Sequence, residues 1–194
     1  VDLIVTVDGG SNDGEAIGLA QELGLEVIVT DHHPIRNPAE GILLVHPDRP
    51  DRECLSVDLC GAGVAYKLAW AVAREAGGGG PVDEATRDLL VEMSSFAALG
   101  TVADVVPLTG ENRILVRHGL KILRSTRRPG LEALMDLCGI DRTHISSIDI
   151  GFRIAPHLNA AGRIADASSA LELLTTREAH RGQELAREMA TYDR

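Results

Sequence analysis

Two short runs near the start, DLIVTV (2–7) and EVIVT (26–30), are almost free of polar side chains apart from threonine and the flanking acids. Near-continuous apolar runs of this length suit strands covered on both faces, as in a parallel sheet. Between them, in DGEAIGLAQELGLE, Ile17, Ala20 and Leu23 recur at helical spacing and Gly24 marks a stop. GILLVHP (41–47) reads as a third strand closed by Pro47. Strand, helix and strand within about 30 residues form a βαβ unit, right-handed by the usual chirality of such crossovers. The pattern therefore predicts an α/β part over 1–60, a parallel sheet with flanking helices, followed by a mainly helical portion over 61–194.

The helical portion opens with GAGVAYKLAWAVAREAG, where Tyr66 and Trp70 read as packing residues, and GGGGP (77–81) breaks it as a linker or an interhelical loop. VDEATRDLLVEMSSFAALGTVA is a long helix with Asp83 as N-cap, and ENRILVRHGLKILRST is another. Pro129 is placed to open GLEALMDLCG. THISSIDIGFRIAPHLNAAGR mixes apolar runs with Pro and Gly and reads as a short helix followed by a functional loop. The tail predicts two helices.

Composition narrows the functional classes. Hydrophobic residues make up 44% but aromatics only 3%, so the core must be aliphatic. No apolar run approaches the ~20 residues of a membrane span. The three cysteines, Cys54, Cys60 and Cys138, are odd in number and lack metal-type spacing, which suits a reduced, cytoplasmic setting. There is no initiator methionine or secretion signal, the chain opens on a strand and stops inside a helix, and it is expected to be an excerpt of a longer protein. A net charge of −10 excludes bulk electrostatic attraction to nucleic acid, leaving local basic clusters or bound cations. Arg113, Arg117, Lys121, Arg124 and Arg128 are spaced by 4, 4, 3 and 4 residues, which on a continuous helix is one stripe: a phosphate track or a solvated face. His46, His118, His144 and His180 read as structural or surface residues, although His46 ends a strand near the candidate crevice.

The candidate chemistry lies at the strand ends. Ligands of open α/β sheets sit at the carboxyl ends of the strands, where Asp8 and Asp31 fall. GGSN after Asp8 supplies small residues and free N–H groups suited to an anion, although an aspartate after a strand is also an ordinary cap. Asp31, His32 and His33 form an unusual triplet in which a carboxylate can fix an imidazole tautomer. Asp104 closes the apolar helix in ALGTVADVVPL. Asp8, His32 and Asp104 offer two carboxylates and an imidazole, a donor set for Mn²⁺ or Mg²⁺ rather than zinc. Two such ions about 3.5–4 Å apart serve phosphoester hydrolysis.

VDGGS, VTDHHP, ALGTVADVVPL with ENRILV, and PHLNAAGR, in this order, resemble the DHH phosphoesterase superfamily, and within it the RecJ-type single-strand-specific 5′→3′ DNA exonucleases. The resemblance covers essentially the whole chain. It implies that Asp8 bridges the metals, that His32 and Asp104 are metal ligands, that His33 faces the scissile phosphate and that Asp31 orients the turn. It further implies substrate contacts from Asn159, Arg163 and, more weakly, Arg113. The implied reaction is metal-dependent release of 5′-mononucleotides from single-stranded DNA in repair and recombination. A single-strand-binding protein and a helicase are candidate partners, and no membrane is involved. The family's first aspartate-rich motif and its later DHHA1 domain have no counterpart in these residues, so the two-metal site is expected to be completed upstream and the isolated fragment to be inactive. His157 stands where the family usually carries arginine. Two alternatives remain open: a DHH phosphoesterase for short oligoribonucleotides or cyclic dinucleotides, and a non-catalytic scaffold of the same fold. The LNAAGR segment speaks against the first, and retention of Asp8, His32 and Asp104 against the second.

Overall fold

The computed structural model describes residues 1–36, 41–49, 58–164 and 167–191, leaving aside the side chains of 162–164. β1 (Leu3–Val7), α1 (Gly14–Glu22), β2 (Glu26–Thr30) and β3 (Leu43–Val45) form the predicted α/β part. The sheet is parallel in the order β1-β2-β3, with Val7 opposite Thr30 and Thr30 opposite Val45. Its core is small: Ile17 of α1 packs on Val27 and Val29, with Ile4, Ala20, Ile42 and Leu44 around them. Gly24, at φ +80°, stops α1 as its position predicted.

One expectation fails here. The apolar run of β1 predicted cover on both faces, but α1 covers only one. Leu3, Val5 and Val7, which alternate onto the other face, are 44%, 46% and 57% exposed. β1 is also an edge of the sheet among the described residues.

The rest is helical: α2 (Gly61–Ala76), α3 (Glu84–Ala103), α4 (Gly110–Ser125), α5 (Pro129–Leu137), the short α6 (Ser147–Asp149), α7 (Ala155–Ile164), α8 (Ala167–Thr175) and α9 (Ala179–Met189). Asp83 caps α3 by accepting the Thr86 N–H at 3.0 Å, and Pro129 opens α5. The four glycines after α2 are an interhelical turn, because α2 and α3 pack against each other directly. Leu123, Leu131, Leu134, Ile150, Leu173 and Met189 anchor a second, aliphatic core among α4, α5, α8 and α9. Among the described residues no helix is long and apolar enough to cross a membrane.

The segment expected to be a functional loop is helical throughout. A π-helical turn (Ile150–Ile154) joins α6 to α7 without a break. Pro156 does not stop the chain because it falls in the first turn of α7, where the π turn hands over through the Ala155 N–H to Ile150 O bond and a missing donor is tolerated.

Candidate active site

β1 and β2 are adjacent and in register, so Asp8 and Asp31 leave the sheet side by side. Asp8 adopts φ +62°, a left-handed conformation that costs a non-glycine residue on the order of 1–3 kcal/mol. The turn around it is firmly held. The Asp8 N–H bonds to Thr30 O at 3.0 Å, and Thr6 Oγ1 donates to Gly9 O at 2.6 Å. Gly10, at φ +107°, has Thr6 Oγ1 2.8 Å from where a Cβ would lie. Space for the Asp8 carboxylate comes from Gly61 at the start of α2, where a Cβ would lie 2.1 Å from Asp8 Oδ1.

The DHH turn is organised by Asp31, which is buried. Its Oδ1 accepts the N–H groups of His32 at 2.7 Å and His33 at 3.1 Å, and the Nδ1–H of His33 at 2.7 Å. Its Oδ2 accepts the Ser11 N–H at 3.0 Å. Burial pushes this carboxyl up, but the hydrogen bonds from His33 and Ser11 outweigh it and hold the group well below the usual carboxylate range. In turn, the bond to Asp31 raises the His33 imidazolium above its ordinary value against partial burial, and the charges of Asp31, Asp8 and Asp104 add to the effect. The His32 and His33 rings lie 4.5 Å apart with their planes tilted by 47°.

Two residues brace this turn from behind. His46 is buried, and its Nδ1 accepts the Asp48 N–H at 3.0 Å while its Nε2 donates to His33 O at 2.9 Å. Asn12 donates to Pro34 O at 3.1 Å and accepts the Arg36 N–H at 2.7 Å, tying the loop after β1 to the loop after β2.

Asp104 caps the C-terminus of α3, and Val105 after it takes φ +59°, a conformation that β-branched residues rarely adopt. Asn112 spans the turn by donating to Pro107 O at 3.0 Å and to Asp58 O at 2.7 Å. A tight seam sets the distance between α2 and α3: a Cβ on Gly100 would lie 2.4 Å from Ala62 Cβ. Cys60 Sγ caps α2 through the Gly63 N–H and lies 3.5 Å from Thr101 Oγ1. The carriers of Asp8 and Asp104 are thus locked together by small residues.

These elements converge on His32. Its Nε2 is 3.1 Å from Asp8 Oδ1 and 3.5 Å from Asp104 Oδ2, yet it is buried and aligned with neither as a hydrogen bond. Ligand atoms of Asp8, His32 and His33 all lie within 4.8 Å of one another. A buried, orphaned imidazole nitrogen between carboxylate oxygens fits a divalent cation, and oxygen donors with one imidazole suit a hard or borderline ion. The Cys60 sulfur is engaged at the α2 cap.

Of the other sequence candidates, Asn159 and Arg113 do not join this cluster. Asn159 is exposed on α7, beside an apolar cavity of about 440 Å³ whose lining also includes Gly100 and Ala103. Arg163 belongs to α7, but its side chain lies outside the described residues, as does Cys54. Arg113 is exposed in the first turn of α4. The basic stripe is four residues long and not five, because α4 ends at Ser125 and Arg128 turns inward. There its Nε donates to Glu92 Oε1 at 2.6 Å and its guanidinium lies 5.2 Å from the Phe96 ring centre. Sequence reasoning missed Gly61, Asn12 and the brace made by His46. Their roles arise from contacts 13 to 53 positions away in the chain, which leave no local signature.

Residues 2–101 match the DHH family, N-terminal domain. Over 188 residues the chain is 40% identical to the single-stranded-DNA-specific exonuclease RecJ of Bacillus subtilis (strain 168), covering 96% of this chain and 22% of that protein. The chain spans 22% to 33% of the length of the first curated relatives it matches. A crystal structure of exonuclease RecJ bound to manganese superposes with a TM-score of 0.83 at 36% identity, over 99% of this chain and 46% of that one. RecJ in complex with Mn²⁺ from Thermus thermophilus gives a TM-score of 0.82 at 37% identity, over 99% and 28%.

Proposed function

Since this chain belongs to the DHH family, we propose that it forms the catalytic part of a metal-dependent exonuclease that hydrolyses single-stranded DNA from its 5′ end and releases 5′-mononucleotides. The observation that carries this reading is the orphaned His32 Nε2 held between the Asp8 and Asp104 carboxylates. The likeness to RecJ proteins that hold Mn²⁺ or Mg²⁺ supports the choice of ion.

In this reading Asp8, His32 and Asp104 are metal ligands. Bound there, Mn²⁺ or Mg²⁺ supplies a water nucleophile at neutral pH and offsets charge that develops on the phosphate. The chain's own residues do the rest. Asp31 stays ionised and fixes the turn. His33, whose imidazolium form Asp31 favours, faces the scissile phosphate. Gly61 leaves room for the Asp8 carboxylate and the α2–α3 seam fixes the helix that ends in Asp104, each carboxylate lying within 3.5 Å of His32 Nε2. Arg113, Asn159 and Arg163 are substrate contacts in the same reading, and a role in repair and recombination in the cytoplasm, alongside a single-strand-binding protein and a helicase, is its cellular counterpart.

The test is hydrolysis of a long 5′-phosphorylated single strand by the full-length protein with Mn²⁺, compared with two- to five-mers. Asp8→Ala and His32→Ala are expected to abolish turnover while the circular dichroism spectrum stays unchanged. Substantial turnover in either variant, or a preference for the short substrates, overturns the assignment.

A further inference from the structure

The protein carries 29 acidic and 19 basic residues, so an exposed basic side chain has carboxylates within easy reach. Several find one: Lys67 pairs with Glu111, Arg142 with Glu132, Arg153 with Asp149 and Arg181 with Glu172. What distinguishes α4 is that its exposed cations lie on one helix face. Arg113, Arg117 and Lys121 are exposed and form no ion pair with any described residue, and Arg124 reaches only the carbonyl of Ile145. Their spacing of 4, 4 and 3 places the four cations on one stripe, about 16 Å long at 1.5 Å per residue. Leaving like charges unpaired and aligned is costly for the fold and useful for a polyanion.

The position of the stripe is equally specific. α4 packs antiparallel on α3: Gly119 lies against Ala98 and Ser94, and Ser94 Oγ is 3.1 Å from His118 Nδ1. The Arg113 end is therefore the end nearest Asp104, and Arg124 lies furthest from it. The cations line a groove of about 740 Å³ that begins at Leu108, in the turn that follows Asp104, and includes the exposed side chain of Ile114. A groove with a basic rim and an apolar floor can hold phosphates on its edge and sugar or base faces on its bed.

We infer that the α4 groove is a track for the sugar–phosphate backbone of single-stranded nucleic acid, leading away from the Asp8, His32 and Asp104 cluster. This rests on the hydrolytic reading above and adds the path of the strand to it. The start of the groove at Leu108, in the turn that follows Asp104, favours a nucleic acid over an acidic protein as occupant.

The test is Arg117→Gln combined with Lys121→Gln in the full-length protein, since glutamine keeps an exposed helix intact. Binding of a 5′-phosphorylated oligothymidylate is followed by fluorescence anisotropy across a salt series. Removing two phosphate contacts is expected to flatten the slope of log affinity against log salt by about 1.4, at roughly 0.7 per cation for single strands. KM for a long strand should rise several-fold, with kcat, hydrolysis of a dinucleotide and Mn²⁺ binding unchanged. A wild-type slope and KM overturn the track. So does a variant that loses binding to oligoglutamate while its DNA slope is kept. A wild-type protein that binds DNA with the expected slope but hydrolyses none of it leaves the track standing and defeats the hydrolytic reading instead.

Discussion

Gly61→Ala isolates the geometry on which the site depends. The added methyl carbon would lie 2.1 Å from Asp8 Oδ1 and 2.5 Å from its Cγ. Non-bonded carbon contacts settle near 3.5 Å, so one group must yield by about 1 Å. The Asp8 side chain is 58% exposed and can swing outward, but its Cβ, 2.6 Å from the added methyl, moves only with the backbone, so the end of β1 or the start of α2 must shift as well. Alanine favours a helix over glycine by up to about 1 kcal/mol, which offsets part of an overpacking cost of about 1–3 kcal/mol. The fold should therefore lose some stability and the thermal midpoint should fall by several degrees, with the protein still folded at about 25 °C. The metal site has no such tolerance, because ligand distances must hold within about 0.2 Å. A displacement several times larger at one ligand should cost at least the roughly 10–100-fold in affinity that loss of a supporting contact costs. Calorimetric titration of Mn²⁺ into the full-length protein, paired with a thermal melt, measures both quantities. Wild-type Mn²⁺ affinity in a folded Gly61→Ala variant would refute the reasoning. It would mean either that the helix shifts without effect or that Asp8 is no ligand.

Three further outcomes follow from the same geometry. Val105 is 86% exposed at φ +59°, so Val105→Gly gives up little burial and relieves strain on the order of 1 kcal/mol; the urea midpoint should rise, and a fall would show that the conformation is not strained. The Asp31 carboxyl is depressed in the folded state, so its stabilisation is complete above its unfolded-state value near pH ~4 and is lost as pH falls below it. Asp31→Asn measured in chelator should flatten the loss of stability on acidification and return the His33 titration, followed by NMR, toward its ordinary value; an unchanged acid profile would remove Asp31 from its organising role. His46→Phe leaves the His33 carbonyl without its donor and should cost on the order of 1 kcal/mol in denaturant unfolding, with a shifted His33 resonance; an unmoved resonance would show that the brace does not reach the turn.

What was legible in the sequence is what depends on local period and on strand ends. The βαβ unit, the long α3 with its Asp83 cap, and the convergence of Asp8, His32 and Asp104 rest on such signals. The misjudged parts depend on partners distant in the chain. The apolar run of β1 could not reveal that only α1 would cover it. Pro156 and the glycines around it resemble loop punctuation until the π turn gives the proline a position where its missing donor does no harm. Arg128 belongs to the stripe by spacing and leaves it because Glu92 and Phe96, from a neighbouring helix, take its guanidinium. The structural glycine at 61 has no signature at all, since what it avoids is the carboxylate of residue 8.

The open flank of β1 has a practical consequence for anyone handling this chain. Its outer main-chain groups, which pair with no strand among the described residues, lie beside Leu3, Val5 and Val7 and form a template on which a strand from another molecule can grow the sheet. Association should therefore strengthen with concentration and weaken when a lysine replaces Val5 as a gatekeeper, so sedimentation of the two proteins side by side would show whether this border governs colloidal behaviour.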